Sequence, residues 1–264
     1  MIGEVPDVFK ARCPFPMSAS ALLRKLESIE TLSDEVRAAI LALNGSVKTL
    51  VRGEDLVREG DTPAECTVVL SGLLCRHTHL RNGGRQIMSF HIPGDMPDLH
   101  SLFIKRMDHN LGAVAATRIM TIPHEVMRKA LRAHPRLNDL LWRETLIDAA
   151  IFRQWMVRIG RRDAVKRLAH LLCEIMTRMQ AVGLGEADVC NLPMTQTDLG
   201  DALGLSNVHV NRSLQELRKR GLVDFQRSSL RIASSEGLKE LADFDPLYLH
   251  LKGHIPRKAK VLGR

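Results

Sequence analysis

The segment LPMTQTDLGDALGLSNVHVNRSLQELRKRG, residues 192–221, decides how this chain is read. Thr195 suits a helix N-cap, and Asp198 three positions on completes a capping box. Leu199, Ala202 and Leu203 follow at helical spacing, and Gly204 can take the left-handed conformation that stops a helix. Leu205 is placed to plug the core beneath the turn. Ser206 caps a second helix whose Val210, Leu214 and Leu217 share one face, and Gly221 ends it. Beyond it, Leu222–Phe225 and Leu230–Ile232 are β-prone runs separated by Gln226, Arg227, Ser228 and Ser229, an interval that suits a small hairpin. Two short helices, a glycine turn and a hairpin predict a winged helix–turn–helix.

Setting Val210 against the core fixes what the second helix shows outside. At about 100° per residue, Val208, Asn211, Arg212, Gln215 and Lys219 project from the opposite half. A guanidinium, two amides, an ammonium and a small apolar tip are the groups that read a major groove: Arg on guanine, Asn or Gln on adenine, an aliphatic tip on a thymine methyl. A solvated helix face has a similar composition. The turn and wing around this one weigh towards DNA.

The run from Leu192 to Ser206 resembles the DNA-binding domain of the catabolite-activator and fumarate–nitrate regulator (CRP/FNR) family, and Asn207 to Leu217 continues the match. The resemblance implies an α+β chain with an N-terminal antiparallel β-roll, a jelly roll of the cyclic-nucleotide-binding type. A long dimerisation helix and a C-terminal winged helix–turn–helix follow. It implies a homodimeric, sequence-specific transcription regulator that places two recognition helices in successive major grooves of a two-fold operator, half-sites about 34–36 Å apart. Arg212 is the expected reader of a guanine. Asn211 and Gln215 contact bases or phosphates, Ser206, Asn207, His209 and Gln196 position the backbone, and Lys219 lies on the same face. Val208 departs from the acidic residue often found there in the family, so that residue's cytosine preference is expected to be lost.

A length of 264 residues suits two domains, each with its own core. The net charge of +8 agrees with a polyanionic partner, double-stranded DNA. Part of the excess lies in the tail, where Lys252, Arg257, Lys258, Lys260 and Arg264 face no acidic residue. Cys13, Cys66, Cys75, Cys173 and Cys190 form neither a C-x-x-C motif nor an even set, which argues against a zinc ribbon or a disulfide framework. No apolar run approaches spanning length and no signal peptide is visible, so the expected setting is the cytoplasm, away from membranes.

Along the chain, residues 1–18 read as an N-terminal arm and residues 19–133 as the roll with flanking helices. Residues 134–160 read as the dimerisation helix, 161–250 as the DNA-binding domain and 251–264 as a basic tail. Short runs at Val47–Val51, Leu56–Arg58, Cys66–Leu70, Leu73–Leu80, Arg85–Ile92, Ala113–Ala116 and Arg118–Ile122 are punctuated by turn residues, as in a barrel or roll. Asn82, Gly83 and Gly84 mark a hairpin, after which Met88, Phe90 and Ile92 alternate towards one face. From Arg136 to Ile159 there is no Pro and no Gly. Leu137, Leu140, Leu141, Ile147, Ile151 and Trp155 are assigned to the dimer seam.

The cyclic-nucleotide members of the family carry a Gly-Glu pair for the ribose and an Arg-Ser pair for the phosphate. Here Asp98-Leu99 and Met107-Asp108 stand near those places, and an acidic group repels a phosphate. The effector, if there is one, is therefore expected to be another small molecule. A single N-terminal thiol, Cys13, does not supply an iron–sulfur cluster. Asp98 also replaces the thiolate of the haem-binding members, leaving His100 without that partner. Cys75, His77 and His79 share a strand face, with His91 opposite; scattered polar residues on a wet sheet face give the same pattern, so no metal and no cofactor is assigned. No G-x-S-x-G, Walker loop or HExxH appears, and no enzymatic activity is expected. RNA polymerase is the expected protein partner. The alternative is a ligand- or redox-sensing module whose winged helix makes protein contacts.

Overall fold

Short strands bounded by turns fold here into a two-sheet roll, and a computed structural model describes residues 19–226 and 228–253. The expected arm, the tail from residue 254 onward and Arg227 in the wing lie outside the described residues. Two helices, α1 (Ser20–Glu27) and α2 (Asp34–Leu41), precede the roll, and Ser33 caps α2 through the Val36 amide. The strands are β1 (Ser46–Leu50), β2 (Asp55–Val57), β3 (Glu65–Ser71), β4 (Leu74–His79), β5 (Arg85–His91), β6 (Asn110–Ala113) and β7 (Thr117–Pro123). They pair antiparallel in the orders β1-β7-β3 and β2-β6-β4-β5.

Two local expectations change. The strand expected at Ala113–Ala116 ends at Ala113, and the chain then bends, the Val114 amide bonding to Leu73 O. In β5, Arg76 pairs with Ser89 but His77 pairs with Ile87, so Met88 is the extra residue of a β-bulge. A bulge resets the alternation. Ile87 and Phe90 are therefore buried, whereas Met88 is only half-buried.

After α3 (His124–Ala133), Pro135 opens the long helix α4 (Pro135–Arg161). Leu137, Leu140, Leu141, Ile147, Ile151 and Trp155, the residues assigned to the dimer seam, are all buried within the chain itself. They join one apolar cluster with Ile87 and Phe90 of the roll and with helix α5 (Ala164–Ala181). The correction has a simple cause. The helix carries apolar residues on two faces, and the denser one packs on its own roll. The other face leaves Trp142, Leu146, Phe152, Met156 and Val157 exposed.

Where α4 meets α5, a polar group is sealed in the core. Arg158 and Glu174 pair with neither exposed to solvent. Glu174 also accepts from Trp155 Nε1 at 3.0 Å and Tyr248 Oη at 2.9 Å, and Arg158 Nε donates to His170 Nδ1 at 3.2 Å. A buried pair satisfied on this many sides resists rearrangement, because parting it strands a charge away from water.

The C-terminal part adds β8 (Gly185–Glu186), β9 (Val189–Asn191), α6 (Gln196–Leu203), α7 (Asn207–Lys219), β10 (Val223–Gln226), β11 (Ser229–Ile232) and α8 (Ser235–Ala242). The expected wing hairpin, β10–β11, is extended by the unexpected β9 and β8 into a four-stranded sheet ordered β10-β11-β9-β8. A 3-10 turn at Pro246–Leu249 follows, and Lys252 N bonds to Ser28 O at 2.8 Å, returning the chain to α1.

Candidate nucleic-acid interface

The turn between α6 and α7 is built by its own residues. Thr195 Oγ1 accepts from the Asp198 amide at 3.1 Å and the Thr195 amide donates to Asp198 Oδ2 at 2.8 Å, so the capping box is complete. Gly204 stops α6 at φ 64°, in the left-handed region that costs a side-chain-bearing residue free energy. Gly200 lets the turn close: a Cβ there would lie 2.6 Å from Leu205 O. Ser206 then caps α7, accepting from the His209 amide.

Val210 and Leu217 are fully buried, and Ser213 and Leu214 are buried beside them. That anchoring turns Val208, Asn211, Arg212, Gln215 and Lys219 to solvent, with Ser206, Asn207 and His209 exposed at the helix start. Val208 keeps 59% of its surface open, an apolar group with no intrachain role. Gln196, exposed on α6, accepts from Asn211 Nδ2 at 3.5 Å, and Asn207 Nδ2 donates to Thr197 Oγ1 at 3.3 Å. All nine residues expected at the DNA face therefore lie exposed on α7, its cap or the start of α6.

Two arginines of the roll, not foreseen from the sequence, fix the orientation of this unit. Arg85 at the start of β5 reaches α6, with Nη2 2.7 Å from Asp198 Oδ1 and Nε 2.7 Å from Asp201 Oδ2. Arg52 also pairs with Asp198, and its Nη1 bonds Val114 O at 2.6 Å. The carboxylate that closes the capping box thus also ties the helix pair to the roll. Burial works to raise the Asp198 carboxyl, but hydrogen bonds from Thr195, Arg85 and Arg52 outweigh it and hold it below the usual range. A second tie joins α5 to the roll: Asp95 accepts from Arg178 Nη2 at 2.6 Å and pairs with Lys25 Nζ at 2.8 Å. Burial again opposes ionisation there, and the two cations overcome it.

The roll shows how the cassette residues are used. Asp98 is buried and accepts from Thr67 N and Thr67 Oγ1, each at 2.6 Å, while burial pushes its carboxyl up. Met107 fills an apolar cluster and Asp108 points to solvent. A cleft of about 430 Å³ sets Lys48 among Asp61, Glu65 and Asp98, an acidic lining poorly suited to a phosphate. Cys75 is buried, His77 meets Asp55 Oδ1 at 2.9 Å, and only His79 is open, so the strand trio does not converge on one point.

The fold and the exposed α7 face define a winged helix–turn–helix DNA-binding protein carrying a cyclic-nucleotide-binding-type roll. Comparison with known proteins agrees. The family model of the Crp-like helix-turn-helix domain matches residues 166–241, and that of the cyclic nucleotide-binding domain matches residues 47–134. The transcriptional activator protein FnrA of Stutzerimonas stutzeri is 29% identical over 195 residues, 74% of this chain and 80% of its own. The transcriptional activator protein anr of Pseudomonas aeruginosa is 27% identical over 241 residues, 91% of this chain and 95% of its own. Among solved structures, that of FixK2 from Bradyrhizobium japonicum has a TM-score of 0.68 at 26% identity, covering 75% of this chain and 98% of that one. The chain belongs to the CRP/FNR family of transcription regulators, and its C-terminal part is the family's DNA-binding domain.

Proposed function

We propose that the protein works as a homodimer on a two-fold operator, with one α7 in each of two successive major grooves. The observation that carries this reading is the division of α7 into a buried Val210–Leu217 face and an open face bearing Arg212, Asn211, Gln215 and Val208. Arg212 reads a guanine and Val208 meets a thymine methyl. Asn211 and Gln215 contact bases or phosphates, and Gln196, Ser206, Asn207, His209 and Lys219 hold the sugar–phosphate backbone. The dimer seam is the open face of α4, where Trp142, Leu146, Phe152, Met156 and Val157 form an apolar stripe on one long helix.

The effector is not a cyclic nucleotide: the positions that would hold its phosphate and ribose carry Met107, Asp108 and a Thr67-bound Asp98. The names of the relatives, transcriptional activators, support activation through RNA polymerase. The four described cysteines are free and buried, which suits a reducing cytoplasm, and no helix among the described residues is long and apolar enough to cross a membrane. The test is selection of bound sites from random duplexes at two salt concentrations. A palindromic consensus with affinity falling steeply with salt supports the reading, and a pool that stays random contradicts it.

A further inference from the structure

The loop between β5 and β6 carries side chains that DNA recognition does not use. His100 lies in the 3-10 turn Leu99–Leu102, and Asp108 and His109 stand just before β6. One ligand-capable atom from each of the three lies within 4.8 Å of the others. The two imidazole rings are 5.4 Å apart, centre to centre. His109 is 7% exposed, and its Nδ1 meets Asp108 Oδ1 at 2.7 Å.

A second observation is independent of that clustering. His100 Nε2 and His109 Nε2 are both sealed from solvent and have no hydrogen-bond partner. Two desolvated imidazole nitrogens in one small cluster are an unmet demand that an ion can fill.

We propose that His100, His109 and Asp108 form a binding site for a divalent first-row transition ion, with Zn²⁺ as its representative. Two imidazoles and a carboxylate are the donor set that such borderline ions take, with water completing the shell on the exposed Asp108 side. Asp108 is 86% exposed, and its carboxylate, which meets His109 Nδ1, would turn towards the two Nε2 atoms to join the ion's shell. The cluster also faces Arg76, whose Nε bonds Pro97 O at 3.1 Å and whose Nη1 bonds Asp148 of α4 at 2.5 Å. Repulsion from Arg76 is opposed by Asp108 and Asp148. The ion would therefore sit beside the tie that joins the roll to α4.

The test uses the full chain, stripped with a chelator and titrated with Zn²⁺ against a colorimetric zinc indicator, then with Co²⁺ followed by visible absorption. One equivalent binds the native protein, and His100→Ala and His109→Gln each weaken it about tenfold or more. Asp108→Asn, an exposed change that spares the fold, weakens it as well, while His79→Ala, at an open histidine outside the cluster, leaves it unchanged. Zn²⁺ raises the melting temperature of the native protein and of His79→Ala but not of Asp108→Asn. Failure of the native protein to bind, or binding that is the same in Asp108→Asn and native protein, overturns the proposal. The readout involves no DNA, so it stands or falls apart from the operator reading.

Discussion

Arg85→Ala tests how the recognition unit is held against the roll. Arg85 makes two bonds of equal length, 2.7 Å to Asp198 and 2.7 Å to Asp201, but to carboxylates in different surroundings. The Asp198 side chain is 3% exposed and that of Asp201 22%, with Arg85 itself 26% exposed. Removing one partner of a fully buried pair costs about 3–5 kcal/mol, whereas exposed pairs contribute about 0–1 kcal/mol. Arg85–Asp198 falls between these limits, because Arg85 is partly solvated and Arg52 remains on Asp198 after the change. A coupling of about 1–3 kcal/mol is expected there, against about 0.5–1 kcal/mol for Arg85–Asp201. Double-mutant cycles among Arg85→Ala, Asp198→Ala and Asp201→Ala, read by urea unfolding with tryptophan fluorescence, separate the two and cancel the lost helix cap of Asp198. A larger coupling to Asp201, or couplings both below about 0.3 kcal/mol, would refute the claim that burial makes Asp198 the anchor.

Glu144, buried on α4, has its carboxyl pushed up to about 8, chiefly by burial, with Asp95 and Asp148 adding to the shift and Lys25 and Arg76 opposing it. Between its ordinary 4.5 and about 8 the folded state keeps a proton that the unfolded state has lost, so stability falls as pH rises through that interval and levels off above it. Glu144→Gln should therefore stabilise by on the order of 2–4 kcal/mol at pH 8 and hardly at all near pH 4; equal gains at both pH values in urea titrations would count against a neutral Glu144. Leu146→Glu with Met156→Glu should convert the dimer to a folded monomer in sedimentation, whereas a species still dimeric would place the seam elsewhere. Charges placed on that open face should lower the melting temperature only by what association contributes, and by less than Leu140→Glu on the buried face.

The recognition unit was legible because its information is local. Caps at Thr195 and Ser206, the stop at Gly204 and the Val210–Leu214–Leu217 stripe all act within a few residues of themselves. The clamp was not legible, since Arg85 and Asp198 lie 113 positions apart and neither residue type announces a distant partner. That the residues assigned to the seam are buried against their own roll was not legible for a related reason: a helix apolar on two sides does not say which side its own roll will cover. The bulge at Met88 shows the limit of strand periodicity: Phe90 and Ile92 are buried as the alternation predicts, but the inserted residue puts Met88 out of phase with them and brings Ile87 inward. His100 and His109 are nine positions apart in a loop, where no period relates them, so only the fold brings their rings together.

The most direct measurement is the affinity of native protein and Arg212→Ala for the selected operator, for each single-base variant of it, and for random duplex. An outward Arg212 that meets a base edge predicts a loss of about 1–3 kcal/mol on the operator, relaxed preference at one base pair per half-site, and little change on random DNA. Equal loss on operator and random duplex, with every base preference intact, would contradict it.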